Sequence, residues 1–381
     1  MEDGTKFINV SEPDISKLEL KNTIEAVKSG FISGSTGKFI KQFEEEFAKF
    51  CGASFAVACN SGTAALQLAI RVADIKEGDE VIVPTFTNIA SLLCIVYAGA
   101  KPVLVDSRAD TWCMDETLVE AKITPRTKAI LPVHIYGHPV KMDTIMQIAK
   151  KHNLLVIEDA AEAHGATCDG KMVGSFGELS CFSFYANKII TTGEGGMTLT
   201  SSQKFADKMK VLRNLAFQDT VRYLHEDLGY NYRMTNIQAA IGVAQLSRIN
   251  QFIEKKREMA QWYNKGLKKV KGVTLPVEMP WAKNVYWMYG IVVNEKKFGM
   301  SKEMLMQELK KRGIDSRSFF IPMHQQPVFH TMGLFKGESY PVSENIGKNG
   351  LYLPSGLTIK KSQVSYICRT IKELSKRKNN P

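Results

Sequence analysis

The sequence lacks cysteine pairs of any kind that would suggest a metal site or a disulfide framework. Seven cysteines are spread over 381 residues, and no two of them form a CxxC motif. An odd number of widely spaced cysteines, several of them inside apolar patterns, is typical of buried free thiols. The pattern predicts a reducing, cytoplasmic setting without structural disulfides or zinc.

Long apolar runs and the common nucleotide-binding loops are missing as well. No apolar run reaches membrane-spanning length, and the first residues include Glu2 and Asp3 where a signal peptide would carry an apolar core. No GxGxxG motif follows an early strand, and no lysine-containing phosphate loop occurs. We therefore expect neither a membrane protein nor a secreted one, and neither a dinucleotide-binding nor a P-loop fold.

The amino-acid composition is typical of a globular protein with a positive net charge. Hydrophobic residues make up 44% of the chain and charged residues 23%, and 381 residues are enough for a large core and two domains. The net charge of +11 favours anionic partners such as a nucleotide diphosphate, although a merely lysine-rich surface would give the same value. Basic residues are scattered and no nucleic-acid motif accompanies them, so we expect no nucleic-acid partner.

Strand and helix patterns alternate through the first half of the chain. This alternation predicts βαβ units and a mainly parallel sheet, hence an α/β fold. Near residue 250 the pattern changes to helix, strand and helix, which predicts a large domain over 1–250 and a smaller one over 251–381. The predicted strands of the first half are Phe55–Cys59, Glu80–Thr85, Pro102–Asp106, Ala129–His134 and Leu154–Asp159.

A single lysine, Lys188, follows the apolar run Cys181–Tyr185 and precedes a glycine-rich turn that starts at Thr192. The run is typical of a buried strand, and a lysine beside it is costly because burial disfavours the charged amine. A readily deprotonated amine is the nucleophile that condenses with an aldehyde cofactor. The alternative is a surface lysine in a strand-to-turn connection.

Two further segments suit the same kind of cofactor. Asp159 ends an apolar run of parallel-strand type, where open α/β sheets bind ligands, and a carboxylate there can hold the ring nitrogen of a pyridine cofactor protonated. Ser61, Gly62 and Thr63 connect a strand pattern to a helix pattern, which predicts a phosphate site at a helix N-terminus. The three features follow each other along the chain in the order phosphate turn, acidic residue and lysine. This order favours the interpretation that they form one cofactor site over the interpretation that they are unrelated.

A resemblance to a known protein family runs from about Phe31 to the end of the chain. It rests on the strings EDAAEAHGA, FSFYANKIITTGEGG, GYNYRMTNIQAAI and PMH. On these strings the sequence resembles the DegT/DnrJ/EryC1/StrS sugar aminotransferases, which have the fold type I architecture of pyridoxal 5′-phosphate (PLP) enzymes. The resemblance implies a large domain around a mainly parallel, seven-stranded-type mixed sheet and a smaller C-terminal α+β domain. It implies PLP bound by Lys188, with Asp159 at the ring nitrogen and Glu162 on the side of the phenolic oxygen. A dehydratase branch of the family has histidine at the lysine position, so Lys188 implies transamination.

The resemblance also implies how the phosphate and the substrate are held. The phosphate would contact Gly62, Thr63 and Ser183, together with Asn231 from the partner subunit of a homodimer with shared active sites. Without that resemblance, Asn231 is a turn residue before a helix.

Two residues of the C-terminal part are candidate substrate contacts. His324 of the PMH string matches a residue that approaches the sugar in relatives. The alternative interpretation is that His324 is a loop histidine whose nitrogens form hydrogen bonds with backbone groups. Arg317 is a candidate contact for a phosphate or a donor carboxylate by its charge and position.

The strings NKIITTGEGG and YNYRMTNI look most like the branch that aminates C4 of GDP-4-keto-6-deoxymannose with glutamate. UDP- or dTDP-4-keto-6-deoxyhexoses and a smaller keto substrate remain alternatives, and a non-catalytic PLP- or nucleic-acid-binding regulator is an alternative of another class. Asn88 departs from the family, because its position is typically an aromatic residue that stacks on the cofactor. Phe86 could replace that ring, but a core position is the favoured interpretation.

Overall fold

The computed structural model describes residues 7–34, 37–218 and 221–376. Residues 1–6, on which the signal-peptide expectation depends, lie outside the described residues. Within the described ranges, no helix combines the length and the apolar composition that crossing a membrane requires.

Helices and strands alternate along the first two thirds of the chain. They are α1 (Lys17–Lys28), α2 (Lys38–Cys51), β1 (Phe55–Cys59), α3 (Gly62–Val72), β2 (Glu80–Pro84), α4 (Ala90–Tyr97), β3 (Lys101–Val105), β4 (Thr127–Ile130), α5 (Met142–His152), β5 (Leu155–Asp159), β6 (Thr167–Cys168), β7 (Lys171–Met172), β8 (Leu179–Ser183), β9 (Gly196–Thr200), α6 (Gln203–Leu212) and α7 (Asn236–Leu246). Helix α7 starts where Thr235 and Gln238 form a capping box.

Shorter strands and further helices make up the last third. They are α8 (Ile249–Leu267), β10 (Val273–Thr274), β11 (Ala282–Lys283), β12 (Tyr289–Val293), α9 (Glu295–Phe298), α10 (Lys302–Lys311), β13 (Arg317–Ser318), α11 (Pro327–Thr331), α12 (Pro341–Asn349), β14 (Gly350–Leu353) and α13 (Lys361–Lys376).

A seven-stranded sheet with the order β1-β9-β8-β5-β4-β2-β3 forms the centre of the fold. Strands β3, β2, β4, β5 and β8 run parallel, whereas β9 is antiparallel to both β8 and β1. The predicted α/β fold with a mixed, mainly parallel sheet is confirmed. Because the parallel strands end at one edge, the residues that follow them are brought together there.

Aromatic residues of α2 pack the helix layer onto this sheet. Phe43 and Phe47 are fully buried, and their rings lie 4.9 Å from the rings of Phe184 and Phe182 respectively, measured between centroids. Phe182 belongs to β8 and Phe184 directly follows it, so α2 covers the strand that leads to Lys188. Its buried apolar face holds the strand end in place.

A second apolar core lies between a small sheet and the C-terminal helices. The sheet has the order β10-β12-β14-β13 with antiparallel pairs throughout. Tyr263 of α8 stacks on Tyr289 of β12 with ring centroids 4.5 Å apart, and Leu305 and Ile367 of α10 and α13 are buried in the same cluster. The division into domains 1–250 and 251–381 stays a prediction.

Several predicted element boundaries are wrong. The strand predicted at Ala129–His134 ends at Ile130, because Pro132 has no N–H to donate. In the last third, the apolar stretch Val285–Val293 favours a strand by its pattern, but β12 begins only at Tyr289. The loop predicted around His324 contains a short 3-10 helix and α11, which starts with Pro327, a residue preorganised for the first helical turn.

Candidate active site

A cavity of about 430 Å³ lies at the carboxyl-terminal edge of the parallel strands. It brings together six of the residues that the sequence predicted for the site, whereas Asn231, His324 and Arg317 are not part of its wall. The lining residues are Ser61, Gly62, Thr63, Leu66, Thr87, Asn88, Ala90, Val133, Asp159, Ala161, Glu162, Ser183, Tyr185, Asn187, Lys188, Glu194, Trp287, Phe320 and Tyr352.

One end of the cavity is the N-terminus of α3. Ser61 is the N-cap, and its hydroxyl accepts a hydrogen bond from the N–H of Ala64 at 3.1 Å. Gly62 and Thr63 are the first helical residues, whose N–H groups have no partner within a helix. A Cβ on Gly62 would lie 2.7 Å from Cβ of Ser183, so only glycine lets the helix start and the end of β8 approach this closely. The arrangement is suited to binding an anion such as a phosphate.

Asp159 is the last residue of β5 and is buried against a short chain of hydroxyl groups. The Ser91 hydroxyl donates to Oδ2 of Asp159 at 2.7 Å, and the N–H of Ala161 donates to Oδ1 at 3.2 Å. Ser91 also exchanges a hydrogen bond with Thr87 at 2.8 Å. Burial raises the pKa of Asp159, and these hydrogen bonds oppose the shift. Ser91 was not predicted, although its position shortly after β2 places it at the same sheet edge.

The neighbouring carboxylate, Glu158, serves a different purpose. Successive residues of a strand point to opposite faces, so Glu158 faces away from Asp159. Its side chain accepts hydrogen bonds from the N–H groups of Gly174 and Gly177, both at 2.9 Å, and from the hydroxyl of Ser180 at 2.8 Å. Glu158 therefore holds the connection to β8.

Lys188 lies beside a second buried carboxyl group. Its Nζ is 3.9 Å from Oε1 of Glu162, whose Oε2 accepts the N–H of Tyr136 at 2.8 Å. Burial raises the pKa of Glu162 to about 7. Burial also lowers the pKa of Lys188, while the negative charges of Glu162 and Asp159 act in the opposite direction. The site thus contains an amine and a carboxyl group whose charged forms are both disfavoured by burial.

The predicted strand before Lys188 is displaced by two residues. Strand β8 ends at Ser183 instead of Tyr185, so Lys188 lies five positions beyond the strand. It is part of a turn in which the N–H of Lys188 donates to the carbonyl of Tyr185 at 2.9 Å. The lysine is nevertheless inside the cavity, so the surface alternative is wrong.

Trp287 forms a wall of the cavity that sequence patterns did not reveal. Its ring centroid lies 3.8 Å from Nζ of Lys188, and its Nε1–H donates to the carbonyl of Asn187 at 2.8 Å. A ring so close to an amine attracts the charged form through its electron-rich face. The short segment around it, Val285-Tyr286-Trp287, carries no motif that would mark it as part of the site.

Asn88 lines the cavity, and its side-chain oxygen caps α4 by accepting the N–H of Ala90 at 3.0 Å. Phe86 is buried in the core, where its ring lies 6.0 Å from that of Tyr136 and 5.9 Å from that of Phe319. The core interpretation of Phe86 is therefore confirmed. Among the aromatic residues of the wall are Trp287 and Phe320.

A buried lysine, Lys256, forms a hydrogen bond with the backbone of Trp287. Its Nζ donates to the carbonyl oxygen of Trp287 at 2.9 Å and to that of Ser355, and the side chain is almost completely buried. Burial lowers the pKa of Lys256 to about 7. This residue connects α8 to the wall of the cavity.

Wild-type protein is expected to gain stability relative to Lys256→Met as the pH rises from about 7 to about 10. The pKa of Lys256 is lowered from 10.5 to about 7, so between these values the unfolded chain binds a proton that the folded protein does not. Stability rises with pH wherever the unfolded state binds more protons. Melting temperatures of both proteins at several pH values across this window measure the difference, and parallel pH profiles would contradict a low pKa for Lys256.

His324 and Arg317 make contacts outside the cavity wall. Nδ1 of His324 pairs with the hydroxyl of Thr85 at 2.8 Å and Nε2 pairs with Oε1 of Glu344 at 3.1 Å, so side chains satisfy both nitrogens. Arg317 is exposed and pairs with Asp315 at 2.8 Å. Substrate contacts by His324 and Arg317 stay predictions.

Asn231 lies on the surface before α7 and is not among the residues that line the cavity of its own chain. Its carbonyl accepts a hydrogen bond from Nδ2 of Asn60 at 3.4 Å, and the residue is exposed. A contact between Asn231 and a phosphate in the partner's cavity stays a prediction.

The residues of the cavity fit PLP. A helix N-terminus with a glycine that a Cβ could not replace offers donors for a phosphate, and Asp159 offers a carboxylate for a ring nitrogen. Lys188 offers an amine with a lowered pKa in the same cavity.

Comparisons with known proteins agree with this chemistry. Residues 13–372 match the model of the DegT/DnrJ/EryC1/StrS aminotransferase family. The chain is 44% identical over 354 residues to a GDP-perosamine synthase of Caulobacter vibrioides, covering 92% of this chain and 94% of that one. It is 42% identical over 368 residues to a GDP-perosamine synthase of Escherichia coli O157:H7, covering 97% and 98%. A putative sugar aminotransferase from Streptococcus pneumoniae, solved in its PLP form, superimposes with a TM-score of 0.90 at 29% identity, covering 97% and 99%.

Proposed function

This chain belongs to the DegT/DnrJ/EryC1/StrS aminotransferase family, and from that premise we propose that it converts GDP-4-keto-6-deoxymannose to GDP-perosamine with glutamate as amino donor. The family and the related structures make it a PLP-dependent transaminase of nucleotide sugars. The choice of sugar rests on its similarity, over more than nine tenths of the chain, to two GDP-perosamine synthases.

The cavity suggests which residues would hold the cofactor. Gly62, Thr63 and Ser183 would contact the phosphate, and Asp159 would hold the ring nitrogen protonated. Glu162 would face the phenolic oxygen. When bound, PLP takes the amino group from the donor and passes it to the keto sugar by acting as an electron sink.

Lys188 would move the protons of the reaction. Its Nζ would take the proton from Cα of glutamate and return it within the same cavity, as general base and then general acid. Burial lowers the pKa of Lys188, which favours the neutral amine that a general base requires. Trp287 and the aromatic wall would exclude water from this amine.

A panel of substrates tests the proposal. Purified holoenzyme is incubated with isotopically labelled glutamate and GDP-, UDP- or dTDP-linked 4-keto-6-deoxyhexoses, and labelled amino sugars are detected by mass spectrometry. Fastest labelling of the GDP sugar is expected. Faster labelling of a UDP or dTDP sugar would overturn the choice of nucleotide, and no labelling of any keto sugar would overturn sugar amination.

We further propose a homodimer in which each cavity is completed by the partner. Among the described lining residues Lys188 is the sole cation, although the cofactor phosphate and the nucleotide diphosphate are both anions. Asn231 is exposed on the same molecule and offers a donor. This imbalance supports a contribution from a second copy of the chain.

An apolar stripe on α1 supports such an interface. Leu20, Ile24 and Val27 follow each other at helical spacing on α1 and are 45–60% exposed, and Phe31, just beyond the end of the helix, is 58% exposed. Exposed apolar patches on soluble proteins mark interaction sites, and a two-fold interface would cover the same stripe on both subunits.

Mixing two damaged variants is expected to restore activity if the sites are shared. In a mixed dimer of Lys188→Ala and Asn231→Ala subunits, one cavity carries both changes and the other carries neither. Turnover at limiting PLP should therefore rise above that of either variant alone. Failure to recover despite demonstrated subunit exchange, or full activity of a monomer in solution, would contradict the shared site.

A cytoplasmic location is also part of the proposal. All seven cysteines are free and buried, as expected for a chain that folds under reducing conditions. Glutamate and a nucleotide sugar would be its partners there, without a nucleic acid or a membrane.

A further inference from the structure

Tyr352 presents a free hydroxyl group in the aromatic part of the cavity. Three lining residues lie beyond residue 250, namely Trp287, Phe320 and Tyr352, and all three are aromatic. The indole N–H of Trp287 already donates to the carbonyl of Asn187 at 2.8 Å, and Phe320 has no polar side-chain atom. The hydroxyl of Tyr352 makes no hydrogen bond with any residue that the structure describes. Among these three side chains it is the polar group that can orient a ligand.

This hydroxyl differs from polar atoms that packing encloses. The hydroxyl of Tyr136 also lacks a partner, but the protein covers it, so a ligand cannot reach it. Tyr352 is partly exposed, and its hydroxyl is not enclosed in this way. The strand neighbours Leu351 and Leu353 are fully buried in the second apolar core. Because successive strand residues point to opposite faces, Tyr352 faces the cavity.

A central strand of the small sheet fixes the position of Tyr352. Strand β14 pairs with β12 and β13, and these pairs place Tyr352 between Gly290 and Arg317. Its ring stacks on that of Phe319 with centroids 6.5 Å apart and lies 6.0 Å from that of Tyr136. The hydroxyl is therefore held in place before a ligand binds, which lowers the entropy cost of binding.

The charges around Tyr352 favour a neutral ligand group over an anion. Burial raises the pKa of Tyr352 to about 12, the negative charges of Glu162 and Asp315 act in the same direction, and Arg317 opposes them. The phenol thus keeps its proton and can both donate and accept a hydrogen bond. Arg317 is itself paired with Asp315 at 2.8 Å, so its positive charge is compensated. Glu162 would repel a carboxylate of glutamate or a diphosphate at this point, whereas a sugar hydroxyl carries no charge.

We propose that the hydroxyl of Tyr352 forms a hydrogen bond with a ring hydroxyl of the hexose, which makes Tyr352 a specificity-determining residue for the sugar. This inference rests on the proposed function. In a hexose linked through C1, with a keto group at C4 and a methyl group at C6, the ring hydroxyls are those at C2 and C3. Glu162, whose charge acts on Tyr352, lies 3.9 Å from the amine of Lys188, so this hydroxyl belongs to the reacting end of the cavity. A site built to bind a hydroxyl group rejects an analogue that lacks it.

Tyr352→Phe tests the inference, because it removes one oxygen and keeps the ring. We expect kcat/KM for the keto sugar to fall roughly 5- to 50-fold, as for a lost hydrogen bond that leaves a ligand hydroxyl unpaired. The cofactor spectrum should not change, and the rate at which glutamate alone changes it should stay within about twofold of wild type, since neither involves the sugar. The affinity for the aminated product, measured by calorimetry, should fall with kcat/KM while the affinity for GDP stays unchanged.

Tyr366→Phe is the matched control. Tyr366 is not part of the cavity wall, and its hydroxyl donates to the carbonyl of Arg312 at 3.1 Å. This variant should keep the wild-type kcat/KM for the sugar. Tyr352→Phe should keep the melting temperature, because the hydroxyl that it removes has no partner within the described part of the chain. A selective loss for the sugar would then not reflect unfolding.

Sugars that lack the C2 or the C3 hydroxyl give the sharpest result. Wild type should prefer the complete sugar to one of these deoxy analogues, and Tyr352→Phe should lose that preference. If wild type aminates the sugar and the variant keeps both its kcat/KM and its preference, or alters the cofactor spectrum or the response to glutamate instead, the role of Tyr352 is wrong while the proposed function stands. If wild type aminates no nucleotide-linked keto sugar, the proposed function fails and this inference fails with it.

Discussion

Lys188→Ala is expected to lower transamination by roughly 10²–10⁴-fold from the lost proton transfer alone, while the protein still folds. Nζ of Lys188 is the amine that the cavity holds between Glu162 and the ring of Trp287, at 3.9 Å and 3.8 Å. A methyl group can neither take a proton from Cα of glutamate nor bind the cofactor. Single-turnover absorbance changes on adding glutamate measure the effect directly.

Lys141 offers a matched control for this experiment. It also lies over a tryptophan ring, Trp281, at 4.9 Å and pairs with a carboxylate, Asp169, at 2.7 Å, but it is outside the cavity. Lys141→Ala should retain turnover within about twofold, because surface ion pairs contribute little. If borohydride reduction attached the cofactor to a lysine other than Lys188, the assignment would be wrong.

Asp159→Asn is expected to keep the fold and to slow transamination by roughly 10²–10³-fold, comparable to the loss of a preorganised electrostatic contact. A neutral amide cannot hold the ring nitrogen protonated, so the cofactor would withdraw electrons less strongly. Ser91 can still donate to the amide oxygen, which preserves the local packing. Rates of both half-reactions provide the measurement.

The adjacent carboxylate, Glu158, offers a control that distinguishes loss of charge at the cofactor from loss of charge elsewhere in the same strand. Glu158→Gln changes the same strand but on the opposite face, where Glu158 binds backbone N–H groups of the connection to β8. It should lower the melting temperature and leave turnover largely intact. Near-normal turnover in Asp159→Asn would mean that Asp159 does not face the ring nitrogen.

The predictions from sequence were most accurate where a local pattern implies a local structure. The turn at Gly62 was recognisable because a strand, a glycine and a helix start follow each other directly. Asp159 was recognisable because it ends an apolar strand run, and Lys188 because it closely follows one. The comparisons confirm the family, the PLP cofactor and the transaminase class. Strand ends were less accurate, because the last ladder hydrogen bond depends on the neighbouring strand.

Residues that act through distant partners could not be predicted in this way. Ser91 is 68 positions before the carboxylate to which it donates, and Trp287 is 100 positions after the carbonyl that accepts its N–H. Lys256 reads as part of a charged run, Lys255-Lys256-Arg257, yet it is buried and binds carbonyl oxygens. Helical periodicity does not reveal such contacts, because the partner belongs to another element.

The sequence by itself determined the fold class and the cofactor chemistry, because these depend on strand, turn and helix patterns within short stretches, whereas the roles of the individual site residues stay predictions. Only the tertiary structure decided that Glu162 shares the cavity with Lys188, and that Trp287 covers the amine. Burial, and with it each altered pKa, arises when distant segments pack together and remove water from the same groups.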